Sequence, residues 1–478
     1  MTCCKAGRIR KCTDSRAPQK RSKGRVVAMP HRRLFSVLLL LLSGGACAWS
    51  NHAVLTWPAL AGVPEVASAA PVSVEPLARF LEAEGGALVR LLADEEAWAR
   101  ANVPTYPPRP DALAWRADPG ARSDEERIAL FVAATRINPQ SRLALFQQLK
   151  PGDTVGSREV LAEAAVTPLN STESTKFAMF VALREGQTVA PIDVIATASD
   201  EPDYGLDVGI WADNRTPHGA AYGMGRQPFG NPAIEFSSQT PMHLGFYHEA
   251  TIVYKAAPFL QRCYPEARIH LWRSLAAHAF RTGHPYWGWR FAGWALHYAQ
   301  DLTQPYHARV LPGVGVARLL ATNTLDLIGL HSPKADAIAR VTNRHLALEN
   351  FEVRLLRAAI EQGRSDDPAL RALRGGADRD RRASYSDASV RGEISAEAAA
   401  AADAIDSAIA AYVPRKYTDD QSYTFGVSET GIDLYREVAG VSPAAQRALM
   451  DQIAPLLGNA GRHTRAFVLS LVGPAARP

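Results

Sequence analysis

Cysteine is scarce in this 478-residue chain: of five, Cys3, Cys4, Cys12 and Cys47 lie within the first 48 residues and only Cys263 lies beyond them. Once a leading segment is removed, no intrachain disulfide is available, so stability has to come from an apolar core or from bound metal. Long apolar runs are also missing. The block from Leu34 to Leu42 is far shorter than the roughly 20 residues a spanning helix needs, so no transmembrane span is expected in the mature protein. The sequence shows no internal repeat, no alternating strand series and no parallel-sheet rhythm. With 47% hydrophobic and 21% charged residues, it suits a folded protein of one large or two ordinary domains.

What is present begins with a leader. MPHRRLFSVLLLLLSGGACA, residues 29–48, runs from basic residues through an apolar block to small residues, which is the order of a secretory signal peptide. Ala46 and Ala48 flank Cys47 in an A-x-A pattern, placing the cut after Ala48 and leaving Trp49 as the new amino terminus. A lipoprotein cut before Cys47 is the competing reading, with Gly44 standing where such signals usually carry a larger aliphatic residue. Residues 1–28 read as a basic, non-native upstream extension and Met29 as the initiator. The mature chain, secreted or periplasmic, then has 42 basic and 47 acidic residues, a formal net of −5. Net charge therefore gives no support to a general nucleic-acid surface, and no stable nucleic-acid complex is expected.

The rest reads as mainly helical. Residues 74–102 carry helical spacing and SDEERIALFVAATRI opens with acids suited to a helix start, with a proline-rich loop between them. From Ser199 to Pro241 the chain is too rich in Gly, Pro, Asp and Asn for a long regular element, and such a loop is commonly functional. Helices are expected from Leu244 to Tyr298, from Ser332 to Gly363, and in ISAEAAAAADAIDSAIAAYV and SPAAQRALMDQIAPLLGNA. The expectation is an all-α, compact multi-helix domain over 49–478, with insertions around 103–198 and 200–241.

Two short segments carry chemistry. In HYAQDLTQPYH, residues 297–307, His297 and Asp301 are four apart and share one helical face within reach of a single ion. Pro305 ends or bends that helix, letting His307 approach from the following loop. In NRHLALENFE, His345 and Glu349 repeat the spacing. Each pair alone reads equally as a helix-surface hydrogen bond. Two pairs of imidazole and carboxylate in an exported chain without a cysteine framework make zinc the more economical account.

HYAQDLTQPYHA resembles the H-Y-x-x-D-x-x-x-P-x-H-A signature of bacterial zinc-dependent phospholipases C, and HLALENF resembles their H-x-x-x-E-N-F segment. In that family, and in the related secreted single-strand nucleases, the mature protein begins with a tryptophan whose amine and carbonyl bind zinc; here the signal cut exposes Trp49. The resemblance implies about three zinc ions in a cleft. His307, His345 and Glu349 would hold one. His297 and Asp301 would hold a second, with Asp301 bridging to a third held by Trp49 and His52, although the family's histidine lies farther from its tryptophan. The second ion would also take Asp200 and His243 from mid-chain, with Asp203, Asp207 and His248 as the other choices considered. The family keeps these two ligands closer together, so the Gly-rich stretch would be an insertion near the cleft mouth, its other carboxylates solvated.

The implied activity is phospholipase C hydrolysis of the glycerol-side phosphodiester of phospholipids, phosphatidylcholine among them, to diacylglycerol and phosphorylated head group at a membrane surface. Paired zinc ions stabilise both the attacking and the leaving oxygen in such displacements, with Asp200 as base and Asp301 as bridge. Glu349 stands where the nucleases usually have aspartate, which with the acidic mature charge favours lipid over nucleic acid. A single-strand zinc nuclease and a non-enzymatic exported helical protein with structural zinc are the alternatives. Tyr286, Trp287 and Trp289 form either a cation-binding face for choline or part of a core.

Overall fold

The structure is a computed structural model, and it describes residues 51–116, 123–169, 175, 177–230, 236–375, 384–425 and 428–473. The upstream extension, the signal segment and Trp49 lie outside the described residues. The chain is mostly helical, with 63% helix and 3% strand.

In chain order the elements that matter are α1 (Ala53–Leu60), β1 (Val72–Ser73), α2 (Leu77–Asn102), α3 (Asp124–Thr135), β2 (Phe146–Gln148), β3 (Val160–Leu161), β4 (Phe180–Ala182), β5 (Thr188–Val189) and α4 (Pro191–Asp200). They continue with α5 (Pro265–Thr282), α6 (Pro285–Asp301), α7 (Val316–Leu327), α8 (Ser332–Glu361), α9 (Ser395–Tyr412) and α10 (Pro443–Val472). Their starts follow local chemistry. Ser123 and Glu126 form a capping box on α3, and Pro occupies the first turn of α4, α5, α6, α8 and α10, where its missing N–H costs nothing.

α6 is the central helix. Every residue from Tyr286 to Asp301 is buried, the polar Arg290, His297, Gln300 and Asp301 included. It packs against α5, α4 and α10. Trp287 stacks edge-on with Trp294 and receives the Arg290 guanidinium over its ring, while Arg290 pairs with buried Glu201. The choline-face reading of Tyr286, Trp287 and Trp289 is thereby corrected: at 2%, 0% and 5% exposure they are core.

Apolar side chains gather into two main clusters, one around α2, α5 and α6 and one around α8, α9 and α10. α1 bridges them, placing Val54 and Leu55 in the second cluster while packing on α4. The 103–198 region contains more order than its sequence suggests. Antiparallel β2, β4 and β3 form a small sheet in which Gln148 faces Phe180 in register; a second pairing joins β1 to β5. These strands are two or three residues long, below the length at which alternation can be read.

Candidate metal centre

His297 and Asp301 occupy the last turn of α6, one turn apart on one face. The His297 Nδ1–H donates to the Ser199 carbonyl at 2.7 Å, which leaves Nε2 as a bare acceptor. That atom lies 3.4 Å from Asp301 Oδ2 and 3.0 Å from His243 Nδ1. His52, at the amino-terminal end of α1, uses Nδ1 to donate to Gln300 Oε1 at 3.0 Å. Its Nε2 is left 3.4 Å from Asp301 Oδ1 and 4.0 Å from Asp203 Oδ2. Gln300 is fixed in turn by donating to Thr56 and Thr464. Such outer partners set the tautomer of a ligand histidine.

Asp301 faces two ways. Oδ2 is 2.9 Å from His243 Nδ1 and 3.4 Å from His297 Nε2, whereas Oδ1 is 3.4 Å from His52 Nε2 and 3.7 Å from His307 Nδ1. Beyond it, His307 Nε2 lies 3.1 Å from His345 Nε2 and 3.8 Å from Glu349 Oε1, and His345 Nε2 lies 2.7 Å from Glu349 Oε1. Among the described residues three groups have ligand atoms close enough to hold an ion, the first two sharing His297: His52, Asp203 and His297; His243, His297 and Asp301; His307, His345 and Glu349. The set is buried, with His345 at 6% and His243 at 3% its most exposed members.

The donor set fits zinc on two counts. In a tetrahedral site with Zn–N near 2.05 Å, neighbouring donor atoms stand about 3.3 Å apart, and the contacts above cluster around that value. Several of these atoms are also buried without a hydrogen-bond partner: His52 Nε2, Asp203 Oδ2, Asp301 Oδ1, His307 Nδ1 and Glu349 Oε2. Orphaned groups of this kind are expensive unless an ion or proton satisfies them.

The electrostatics agree. Burial holds the His52 and His345 imidazoles down to about 3 and pushes His297 and His307 well below the usual histidine range, so all four are neutral, the form that binds metal. Burial also opposes charge on His243, but Asp301, Asp207 and Asp203 outweigh it and lift the ring to about 10. Its proton puts a second positive charge among these carboxylates, beside the Arg268 guanidinium on Asp207, and an ion would replace that proton. Burial raises Asp301 to about 6 against the pull of His243, and burial together with Asp301 lifts Glu349 well above the carboxylate range.

His52, His243, His297, Asp301, His307, His345 and Glu349 are brought together, and Asp200 is not. Its Oδ1 accepts from the Ala53 N–H at 3.2 Å and its Oδ2 from Gln148 Nε2 at 2.8 Å, so both oxygens are spent on tying α1 and the small sheet to α4. Asp203 takes the place proposed for Asp200, because the chain tightens after Asp200 into a 3-10 turn over Glu201–Tyr204 that carries Asp203 to the histidines. The expectation that the remaining carboxylates of 200–241 are solvated is likewise corrected: Asp203 and Asp207 are 1% and 0% exposed. Asp207 accepts from Arg268 and Tyr298, both at 2.6 Å, and faces His243 Nε2 at 3.6 Å. Pro305 opens a four-residue helix, Pro305–Ala308, that carries His307. His248 stands apart, bonded to Ser395 at 2.8 Å.

The companion residues of the two segments do structural work. Asn350 clasps the backbone at Ile432 and Leu434, Phe351 fills the second core, and Tyr306 donates to Asp406 at 2.9 Å. Comparison of the chain with protein-family profiles, with curated proteins and with solved structures finds no match.

Proposed function

We propose that the chain is an exported zinc-dependent phosphodiesterase of the phospholipase C type, cleaving the glycerol-side phosphodiester of phospholipids. The observation that carries the reading is Asp301, whose two oxygens face separate sets of imidazoles inside a buried cluster of three ligand groups. Its companion is the wording of HYAQDLTQPYHA and HLALENF, resembling that family. His307, His345 and Glu349 would hold one ion, His243, His297 and Asp301 a second, and His52 with Asp203 and the Trp49 terminus a third. Bound there, zinc supplies Lewis-acid stabilisation of phosphoryl oxygens and a water acidic enough to act near neutral pH.

The protein's own residues do the rest. Ser199, Gln300 and Asp207 fix the orientation of His297, His52 and His243. Asp301 would supply the charge that lets two dications sit adjacent. With both oxygens of Asp200 engaged, the base role would pass to Asp203, whose Oδ1 is held by Gln239 at 3.0 Å and whose Oδ2 makes no hydrogen bond. The deciding experiment is incubation of the zinc-loaded secreted protein with phosphatidylcholine and with single-stranded DNA. Release of phosphocholine and diacylglycerol supports the proposal, cleavage of DNA alone assigns the nuclease reading, and neither product leaves a structural zinc centre.

A further inference from the structure

The ligand-bearing segments around Asp301 meet on one short strap, residues 244–250, which has no regular structure. His243 leads into it from the four-residue helix Thr240–His243. A single turn of helix is marginal on its own, so the strap that follows has to keep the imidazole in place.

Its fastenings run to the other two segments. The Gly245 N–H donates to the His307 carbonyl at 2.9 Å. Gly245 also lies so close to the end of α6 that a Cβ there would stand 2.5 Å from Leu302 Cδ2 and 2.6 Å from Tyr247 Cε2, and Leu302 directly follows Asp301. Four residues on, Glu249 Oε1 accepts from the Val310 N–H at 2.9 Å and from Arg309 Nε at 3.0 Å, just past His307. Tyr254 closes the strap from behind, donating to the Phe246 carbonyl at 2.6 Å and accepting from the Glu249 N–H at 3.1 Å.

The Glu249 side chain is 3% exposed, yet it belongs to none of the three ligand groups found among the described residues. A carboxylate buried to that degree needs partners that offset its lost hydration. Here they are an arginine and a backbone N–H of the segment that carries His307. That segment is also fixed without Glu249, since the Tyr306 N–H donates to Gln304 Oε1 at 2.8 Å and the Tyr306 hydroxyl to Asp406 at 2.9 Å. The clamp is therefore anchored on the His307 side, and what it holds is the side that carries His243.

We propose that Glu249 is a positioning residue of the centre: by clamping the strap to Arg309 and Val310 it sets the place of His243 against His297 and Asp301. This rests on the metal reading of those ligands and is independent of which diester is cleaved.

The test is zinc affinity of the secreted chain, titrated against a competing chromophoric chelator, with the melting temperature of the chelated protein as the measure of the fold alone. Glu249→Ala removes the acceptor, while Glu249→Gln keeps a carbonyl oxygen for both donors. The Ala variant should hold the ion at His307, His345 and Glu349 as tightly as wild type. Its ion at His243, His297 and Asp301 should weaken by about ten- to a hundredfold, the usual effect of removing an outer partner of a metal site. The Gln variant should stay close to wild type. Arg309→Met, which removes one of the two donors, should weaken the same ion by less, and it carries the test where Glu249→Ala does not fold. The control is Asp326→Ala in the turn between α7 and α8, which frees His331 and Lys334 as Glu249→Ala frees Arg309 and Val310. It should lower the melting temperature and leave every zinc constant unchanged. Activity lost by Glu249→Ala at low zinc should return in excess zinc, because the ligands themselves are intact.

Wild-type zinc affinity in Glu249→Ala overturns the proposal. An equal loss in Asp326→Ala does so too, since the effect would then be one of general stability, and so does an equal loss in Glu249→Gln, which keeps the clamp. Weakened zinc in Glu249→Ala beside a wild type that hydrolyses no phosphodiester keeps the positioning role and removes the proposed activity. Hydrolysis of phosphatidylcholine by a wild type whose zinc does not answer to Glu249 does the reverse.

Discussion

Asp301 is the residue on which the centre turns. Replacing it with Asn keeps its size but removes the charge from both facing sets and leaves one of them an amide nitrogen that cannot ligate. The Asp301→Asn variant should lose on the order of a thousandfold in turnover, as for other preorganised electrostatic groups, with the fold surviving on the His307, His345 and Glu349 ion; steady-state hydrolysis at matched zinc occupancy measures it. Asp203 and Asp200 make a sharper pair. Asp203→Asn should reduce bound zinc, whereas Asp200→Asn should keep it and cost about 1 kcal/mol of stability, because one of its new amide hydrogens meets a donor at Gln148 or Ala53. Metal analysis and denaturant titration of the two variants distinguish them. Zinc loss confined to Asp200→Asn would reverse the assignment.

At the scale of elements, the centre depends on how closely α6 approaches α4. A Cβ on Gly293 would stand 2.4 Å from Ala198 Cβ and 2.7 Å from the Ile195 carbonyl, both on the helix whose Ser199 carbonyl orients His297. Gly293→Ala should therefore force the helices apart, costing about 1 to 3 kcal/mol and lowering zinc affinity as His297 loses its anchor; thermal unfolding with and without added zinc reads both. An unchanged melting temperature would show that the crossing is slack. This is also where the legibility of the sequence ends. His297 with Asp301, and His345 with Glu349, were readable because a helix repeats near every fourth residue and both pairs sit inside long helices. Asp203 instead of Asp200 lies beside His52 and His297 because a 3-10 turn begins at that point, and spacing alone does not reveal where an α-helix tightens. The part Gln300 plays beside His52 is not legible from HYAQDLTQPYH, because it depends on α1 lying against α6, a contact between positions 248 residues apart. The small sheet was invisible for its brevity.

For the whole molecule, the proposed metal would compete with protons. Neutral His52 and His345, held near 3 against an ordinary 6.5, give stability that is present above about 6.5 and lost as pH falls below it, since the unfolded chain then binds more protons. Asp200, raised by burial to about 7 against its bonds to Gln148 and Ala53, works oppositely: the folded chain holds its proton longer, so stability falls as pH rises from about 4 through about 7. Metal binding needs the ligands deprotonated. The melting-temperature gap between zinc-loaded and chelated protein should therefore widen from about pH 5 to about pH 8; a gap independent of pH would mean that the histidines are not ligands.

Zinc counted per chain, by elemental analysis of the purified mature protein alongside its Glu349→Gln variant, bears most directly on the buried centre. The ligand sets proposed above predict about three ions in the wild type and fewer in the variant, because His307 and His345 alone cannot close a site. A single ion, undiminished by Glu349→Gln, would contradict a multinuclear centre and with it the proposed hydrolysis.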